Sequence, residues 1–182
     1  MNYRRRKMIE QTAYQLLDDA SMSTPPIDVE ALAKVNDIDV IKYDLGDEIS
    51  GVLVIKNDKV TIGFNATHYE NRKRFTIAHE LGHYFLNHQR NGLFIDKHKK
   101  NFSVFYRNTQ SSTGELEQEV EANTFAAALL MPKHIVIEKV KQYGLDLSSS
   151  NEDDAEIQQL AKLFKVSKQA MSFRLGNIFY SY

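Results

Sequence analysis

Residues 75–88 read FTIAHELGHYFLNH. Phe75, Ala78, Leu81 and Phe85 recur at helical spacing, so the stretch is an amphipathic helix with an apolar stripe to bury. His79 and His83 stand four apart, which on a helix puts both imidazoles on one face about one turn apart. Two neutral imidazoles aimed at one point are good zinc donors at roughly 2.0–2.1 Å. Glu80 is rotated by about 100° from His79 and need not bind the ion itself. It can act as a base beside it, so H-E-x-x-H combines two ligands and a base on one helix. Gly82 costs about 1 kcal/mol relative to alanine inside a helix. That cost is explained if a second helix must come close on that side.

A catalytic zinc takes three protein ligands, and the chain has no cysteine, so the third is a histidine or a carboxylate. By helical phase His88 points elsewhere, and His98 lies in a long connection. The glutamate-rich stretch ELEQEVEANTFAAALLMP, residues 115–132, offers Glu115, Glu117, Glu119 and Glu121. Glu119 and Asn123 are four apart and lead into Ala126 and Ala127, small residues suited to packing on the Gly82 side. Glu121 leads into Phe125 and Leu129. Spacing leans to Glu119 and leaves Glu121 open.

The rest of the chain predicts an α+β domain. A helix spans 3–20 through Ile9, Ala13, Leu16 and Ala20, and SMSTPP breaks it. Asp28 caps a second helix to about Val35. A strand follows at 38–43, then a hairpin at 50–64 that turns on Asn57-Asp58. Thr67 with Glu70 forms a capping box for the His79 helix, which is expected to reach about Asn87. Residues 88–114 read as a long connection with a short strand at 102–107. Helices follow at 115–131 and from Pro132 to near Gly144. The last two, 154–164 and 168–178, meet at KVS with Ser167 as a cap. Strand 51–56 could offer an edge to an extended peptide.

RFTIAHELGH (74–83) with EVEANTFAAALLMP (119–132) resembles the ImmA/IrrE family of zinc metallopeptidases. H-E-x-x-H alone is moderately specific; with the second stretch it is highly specific. The hairpin and LAKLFKVSKQAMSFRL (160–175) are also similar to family members. The resemblance implies a zincin-like helical core of the gluzincin kind, with a small, mostly antiparallel sheet. It implies that Glu119 is the third zinc ligand, that Asn123 supports a ligand histidine from behind, and that Glu80 is the catalytic residue. It further implies an intracellular endopeptidase whose protein substrate is a helix-turn-helix repressor. The expected layout is a metallopeptidase domain at 1–144, a linker at 145–153 and a helix-turn-helix-like segment at 154–182. Candidates for stabilising the oxyanion are Tyr84, His88, His98 and Tyr106.

Charge bears on the alternatives. The net charge is −1, a weak footprint for nucleic acid. The Arg4–Lys7 cluster reads as a solvated helix face. A DNA-binding or protein-binding regulator that uses the zinc fold as a scaffold is the competing function, with Lys168, Gln169 and Arg174 as its DNA contacts. Four acids and four bases in residues 151–182 cancel, which argues against that. Leu160, Phe164, Met171 and Leu175 read instead as residues that pack on the body. With no apolar run of about 18 residues and no secretory leader, a cytoplasmic protein is expected.

Overall fold

The computed structural model describes residues 1–46, 49–88, 92–97, 114–145 and 155–179, the stretch 92–97 by its backbone. Among them the order is α1 (Tyr3–Asp19), α2 (Val29–Val35), β1 (Ile38–Tyr43), β2 (Ile49–Lys56), β3 (Lys59–Asn65), α3 (Glu70–Phe85), β4 (Gly92–Lys97), α4 (Gly114–Leu130), α5 (Lys133–Tyr143), α6 (Ala155–Phe164) and α7 (Lys168–Phe179). The fold is α+β. No described helix is long and apolar enough to cross a membrane.

Local chemistry sets most boundaries. The side chain of Asn2 caps α1 by accepting from the Arg5 amide, and Asp28 caps α2 through Ala31. Asn57 and Asp58 both take positive φ, 50° and 61°, the twist-matched geometry of a two-residue hairpin. Gly144 ends α5 at φ +61°. Ser167 Oγ accepts from the Ala170 amide at 3.1 Å, capping α7 as expected.

The strand order is β1-β3-β2-β4. The hairpin inserts β3 between β1 and β2. Because β3 runs antiparallel to β2, it lies parallel to β1, and the sheet is mixed. β4 pairs antiparallel with the other side of β2. β2 is therefore an inner strand, which corrects the expectation that it offers an edge. β4 itself falls where a connection was expected; the strand expected at 102–107 lies outside the described residues.

The capping box is a second correction. α3 starts at Glu70 behind Tyr69, with no side-chain cap. Thr67 instead donates to Asn65 Oδ1 at 2.9 Å. Asn65 is fully buried and also donates to the carbonyls of Gly46 and Ile49. A buried amide must be satisfied, and Thr67 is taken up in satisfying it.

α3 packs on β2 and β3 on one side and on α4 on another, while α1 packs on α4. The C-terminal helices join the same apolar cluster through Leu160, Phe164, Met171 and Leu175. Arg174, 2% exposed, fastens them. It donates to Met131 O at 2.9 Å and to the Tyr14 hydroxyl at 2.8 Å, and pairs with Glu10. A residue so engaged cannot reach DNA, which removes Arg174 from the contacts a DNA-binding reading requires.

Candidate metal centre

α3 presents His79, Glu80 and His83, all buried. α4 crosses it where Gly82 lacks a side chain. A Cβ there would lie 3.1 Å from Ala122 Cα and 3.2 Å from Phe125 Cβ. The close approach expected of Gly82 is present, made by Ala122 and Phe125 rather than Ala126 and Ala127. It brings Glu119 over the histidines: Glu119 Oε2 lies 3.4 Å from His79 Nε2, and Oε1 lies 3.3 Å from His83 Nε2. The two Nε2 atoms are 3.0 Å apart. Three atoms bonded tetrahedrally to one ion at about 2.0–2.1 Å stand about 3.3–3.4 Å from one another. Among the described residues, His79, His83 and Glu119 thus form a donor group that could hold a metal ion.

Hydrogen-bond direction supports the fit. His79 Nδ1 lies 3.0 Å from Asn123 Oδ1. An amide oxygen only accepts, so the imidazole proton is on Nδ1 and the Nε2 lone pair faces the cluster. Burial pushes His83 down to about 4, against the pull of Glu119. Burial alone would raise the Glu119 carboxyl, but the His79 and His83 imidazoles facing it hold it well below the usual range. At neutral pH the centre combines neutral imidazole at His83 with an ionised carboxylate, a donor set suited to a cation.

Glu80 faces β2. A Cβ on Gly51 would run into Thr76 Cγ2 and lie 2.9 Å from Glu80 Oε1. Glycine at 51 is therefore what lets the strand backbone come up against this carboxylate.

Glu121 is turned away from the donor group. It pairs with Arg5, whose Nε lies 2.6 Å from Oε1, and with His88 Nε2 at 3.0 Å. The hydrogen bonds from Arg5, against the effect of burial and helped by His88, hold its carboxyl below the usual range. Glu117 is exposed. Tyr84 packs against the core, while His98, Tyr106 and the Glu115 side chain lie outside the described residues.

Two expectations are overturned. His88 does not point elsewhere: its Nδ1 lies 3.0 Å from His83 Nδ1. Helical phase misled because α3 ends at Phe85. Asn87 takes φ 54°, and the His88 amide bonds back to His83 O at 3.0 Å, a Schellman turn. Asparagine, which tolerates that conformation, was the readable signal. Arg5 is not simply part of a solvated face, since it reaches Glu121.

Fold and donor set together describe a metallopeptidase-type centre on an α+β frame. Residues 33–176 match the family model of the IrrE N-terminal-like domain, and the chain belongs to this ImmA/IrrE family, a membership that implies a metallopeptidase. It is 33% identical over 134 residues to an uncharacterized immunity region protein 2 of Bacillus phage phi105, covering 72% of this chain and 77% of that one. A solved structure of a Mycobacterium tuberculosis transcriptional regulator shares the fold, with TM-score 0.61 at 19% identity. That likeness covers 96% of this chain and 49% of the regulator, so the chain spans about half its length.

Proposed function

We propose that this chain is a zinc-dependent endopeptidase of gluzincin type, with His79, His83 and Glu119 as ligands and Glu80 as the base. The observation that carries the reading is the donor cluster, in which the His79 and His83 Nε2 atoms lie 3.0 Å apart and 3.4 and 3.3 Å from one oxygen each of the Glu119 carboxylate, with the buried Glu80 next to His79 on α3. Zinc held there would supply a Lewis acid and make water acidic enough to ionise near pH 7. Glu80 takes a proton from the attacking water at its carboxylate and returns it to the amide nitrogen as the C–N bond breaks. Asn123 holds the His79 ring through Nδ1, and Gly51 leaves room for the Glu80 carboxylate. An extended substrate would pair with β4, the outer strand among the described residues, because β2 is bonded on both sides.

The substrate we propose is a helix-turn-helix repressor, the class the family resemblance implies. The similarity to a protein named for a phage immunity region supports testing it first. In this reading the 154–182 segment braces the body and does not read DNA, consistent with the burial of Arg174.

The test is Glu80→Gln, which keeps shape and removes the base. General-base help is worth about 10²–10⁴-fold. The variant should keep one zinc per chain and still bind a repressor encoded beside the gene, while cleavage on a gel time course falls by that factor. Full-rate cleavage by zinc-loaded Glu80→Gln protein would sink the mechanism.

A further inference from the structure

The cation-facing side of His83 is used by the proposed reaction; its far side is not. His83 Nδ1 meets His88 Nδ1 at 3.0 Å, and His88 Nε2 meets Glu121 Oε2 at 3.0 Å. Arg5 then grips both Glu121 oxygens, Nε on Oε1 and Nη2 on Oε2. The run passes from α3 through the turn behind it to α4 and on to α1. It is largely enclosed: the side chains of His83, His88 and Glu121 are 0%, 4% and 14% exposed.

Each of these bonds needs one donor and one acceptor, and a neutral imidazole offers one of each. Arginine only donates. A carboxylate only accepts, so Glu121 accepts from His88 Nε2–H as well as from Arg5. His88 is then left with a lone pair on Nδ1 and can only accept from His83. His83 must carry its proton on Nδ1, which turns its Nε2 lone pair toward His79 and Glu119. One arrangement of protons satisfies the contacts from Arg5 to His83, and it leaves the Nε2 atoms of His79 and His83 and the Glu119 carboxylate with no proton between them, as metal ligands need.

We propose that Arg5, Glu121 and His88 are positioning residues that act through one chain of hydrogen bonds to fix the tautomer and ring angle of His83. The inference rests on the reading of His79, His83 and Glu119 as metal ligands. Two further contacts set His88 in place. The Schellman turn at Asn87 returns it beneath His83, and Gln118 Nε2 donates to its carbonyl at 3.3 Å. The two ligand histidines are thus oriented by different means. His79 Nδ1 meets the Asn123 amide, whereas His83 Nδ1 meets a relay that reaches the first helix. Partners behind a ligand histidine fix its tautomer and orientation, and their loss typically costs 10–100-fold in metal affinity.

The experiment is zinc affinity of the whole chain, measured by competition with a chromophoric chelator at one pH. His88→Ala should bind zinc about 10–100-fold more weakly. His88→Gln, which can still accept from His83 Nδ1, should recover part of that loss. Glu121→Ala should weaken zinc in the native background, yet change it less than about 2-fold when added to His88→Ala, because Glu121 acts through His88. Additive losses would overturn the relay and leave Glu121 a merely structural brace. A second readout needs no variant that must fold. In long-range proton–nitrogen spectra of the zinc-loaded protein, His88 should be the neutral Nε2–H tautomer and His83 should carry its proton on Nδ1. A His88 protonated on Nδ1 overturns the proposal. Native protein that binds zinc no better than a His79→Ala/His83→Ala double variant refutes the metal reading and the relay with it. Native binding that His88→Ala and Glu121→Ala both leave unchanged refutes the relay alone.

Discussion

Gly51→Ala separates the proposed base, Glu80, from the proposed metal ligands. The added Cβ would collide with Thr76 Cγ2 and lie 2.9 Å from Glu80 Oε1. Ordinary carbon–oxygen contact begins near 3.4 Å, so the Glu80 carboxylate must retreat by about 0.5 Å or the strand must lift off the helix. A misplacement of about 1 Å can cost 10²-fold in rate, so about half that displacement is expected to cost about 10-fold. Crowding Thr76 adds a stability term. Overpacking costs about 1–3 kcal/mol, and about 2 kcal/mol corresponds to a fall of about 4–8 °C in Tm for a domain of this size. The proposed zinc ligands lie on the α4 side of α3, so metal content should stay at one per chain. Thr76→Ser removes the methyl that the new Cβ meets; in the double variant Tm should recover while the rate does not. The assay pairs thermal melting and elemental zinc with repressor cleavage on the same samples. A Gly51→Ala protein with native Tm and native rate would refute the packing argument. Lost zinc would show that β2 supports the metal ligands as well as Glu80.

Three further outcomes are expected. Glu119→Ala should lose zinc affinity well beyond the loss in Glu121→Ala, since one removes a ligand and the other a partner two hydrogen bonds away; equal affinities by chelator competition would move the ligand role. His83 sits at about 4 in the folded chain, below its ordinary 6.5, so its contribution is fully present above pH 6.5 and is lost as pH falls toward 4. The metal-free protein should lose about 3 kcal/mol over that window, and denaturant melts of His83→Gln should show a flatter pH dependence there. Arg174→Met breaks the ties to Glu10, Tyr14 and Met131 O, and removing one partner of a buried pair costs about 3–5 kcal/mol; urea midpoints should fall accordingly, and an unchanged midpoint would mean the C-terminal helices are held by their apolar contacts alone.

What the sequence made legible was what is encoded within one element. His79 and His83 share a face because of helical spacing, and the Asn57-Asp58 turn and the caps at Asp28 and Ser167 depend on neighbours a few residues away. The family resemblance chose Glu119 where spacing left Glu121 open, and the structure brings Glu119 to the histidines. What stayed hidden depends on partners far along the chain. Arg5 looked like one charge in a solvated cluster because Glu121 lies 116 residues on. β2 looked like an edge because the backbone that covers it, Gly92–Lys97, has little pattern of its own. Thr67 had the right spacing for a capping box but lost its side chain to Asn65, whose burial is a tertiary fact. His88 was misplaced by extending a helix two residues past its end.

The fastening of α7 to α1 also has a consequence in time. Glu10 and Arg174 are 164 residues apart, and at about 5–20 residues per second a ribosome needs roughly ten to thirty seconds to pass from one codon to the other. Throughout that interval α1 exists without the guanidinium that holds its Glu10 and Tyr14, although α3 and α4 are completed before it ends. Contacts of such separation must wait for loop closure before they add anything. A nascent chain therefore carries every residue of the His79–His83–Glu119 group well before the α1–α7 tie can form. Full bracing of the helix that bears Arg5 comes late in synthesis, so a truncated or stalled product would hold His79, His83 and Glu119 in a loosely supported frame.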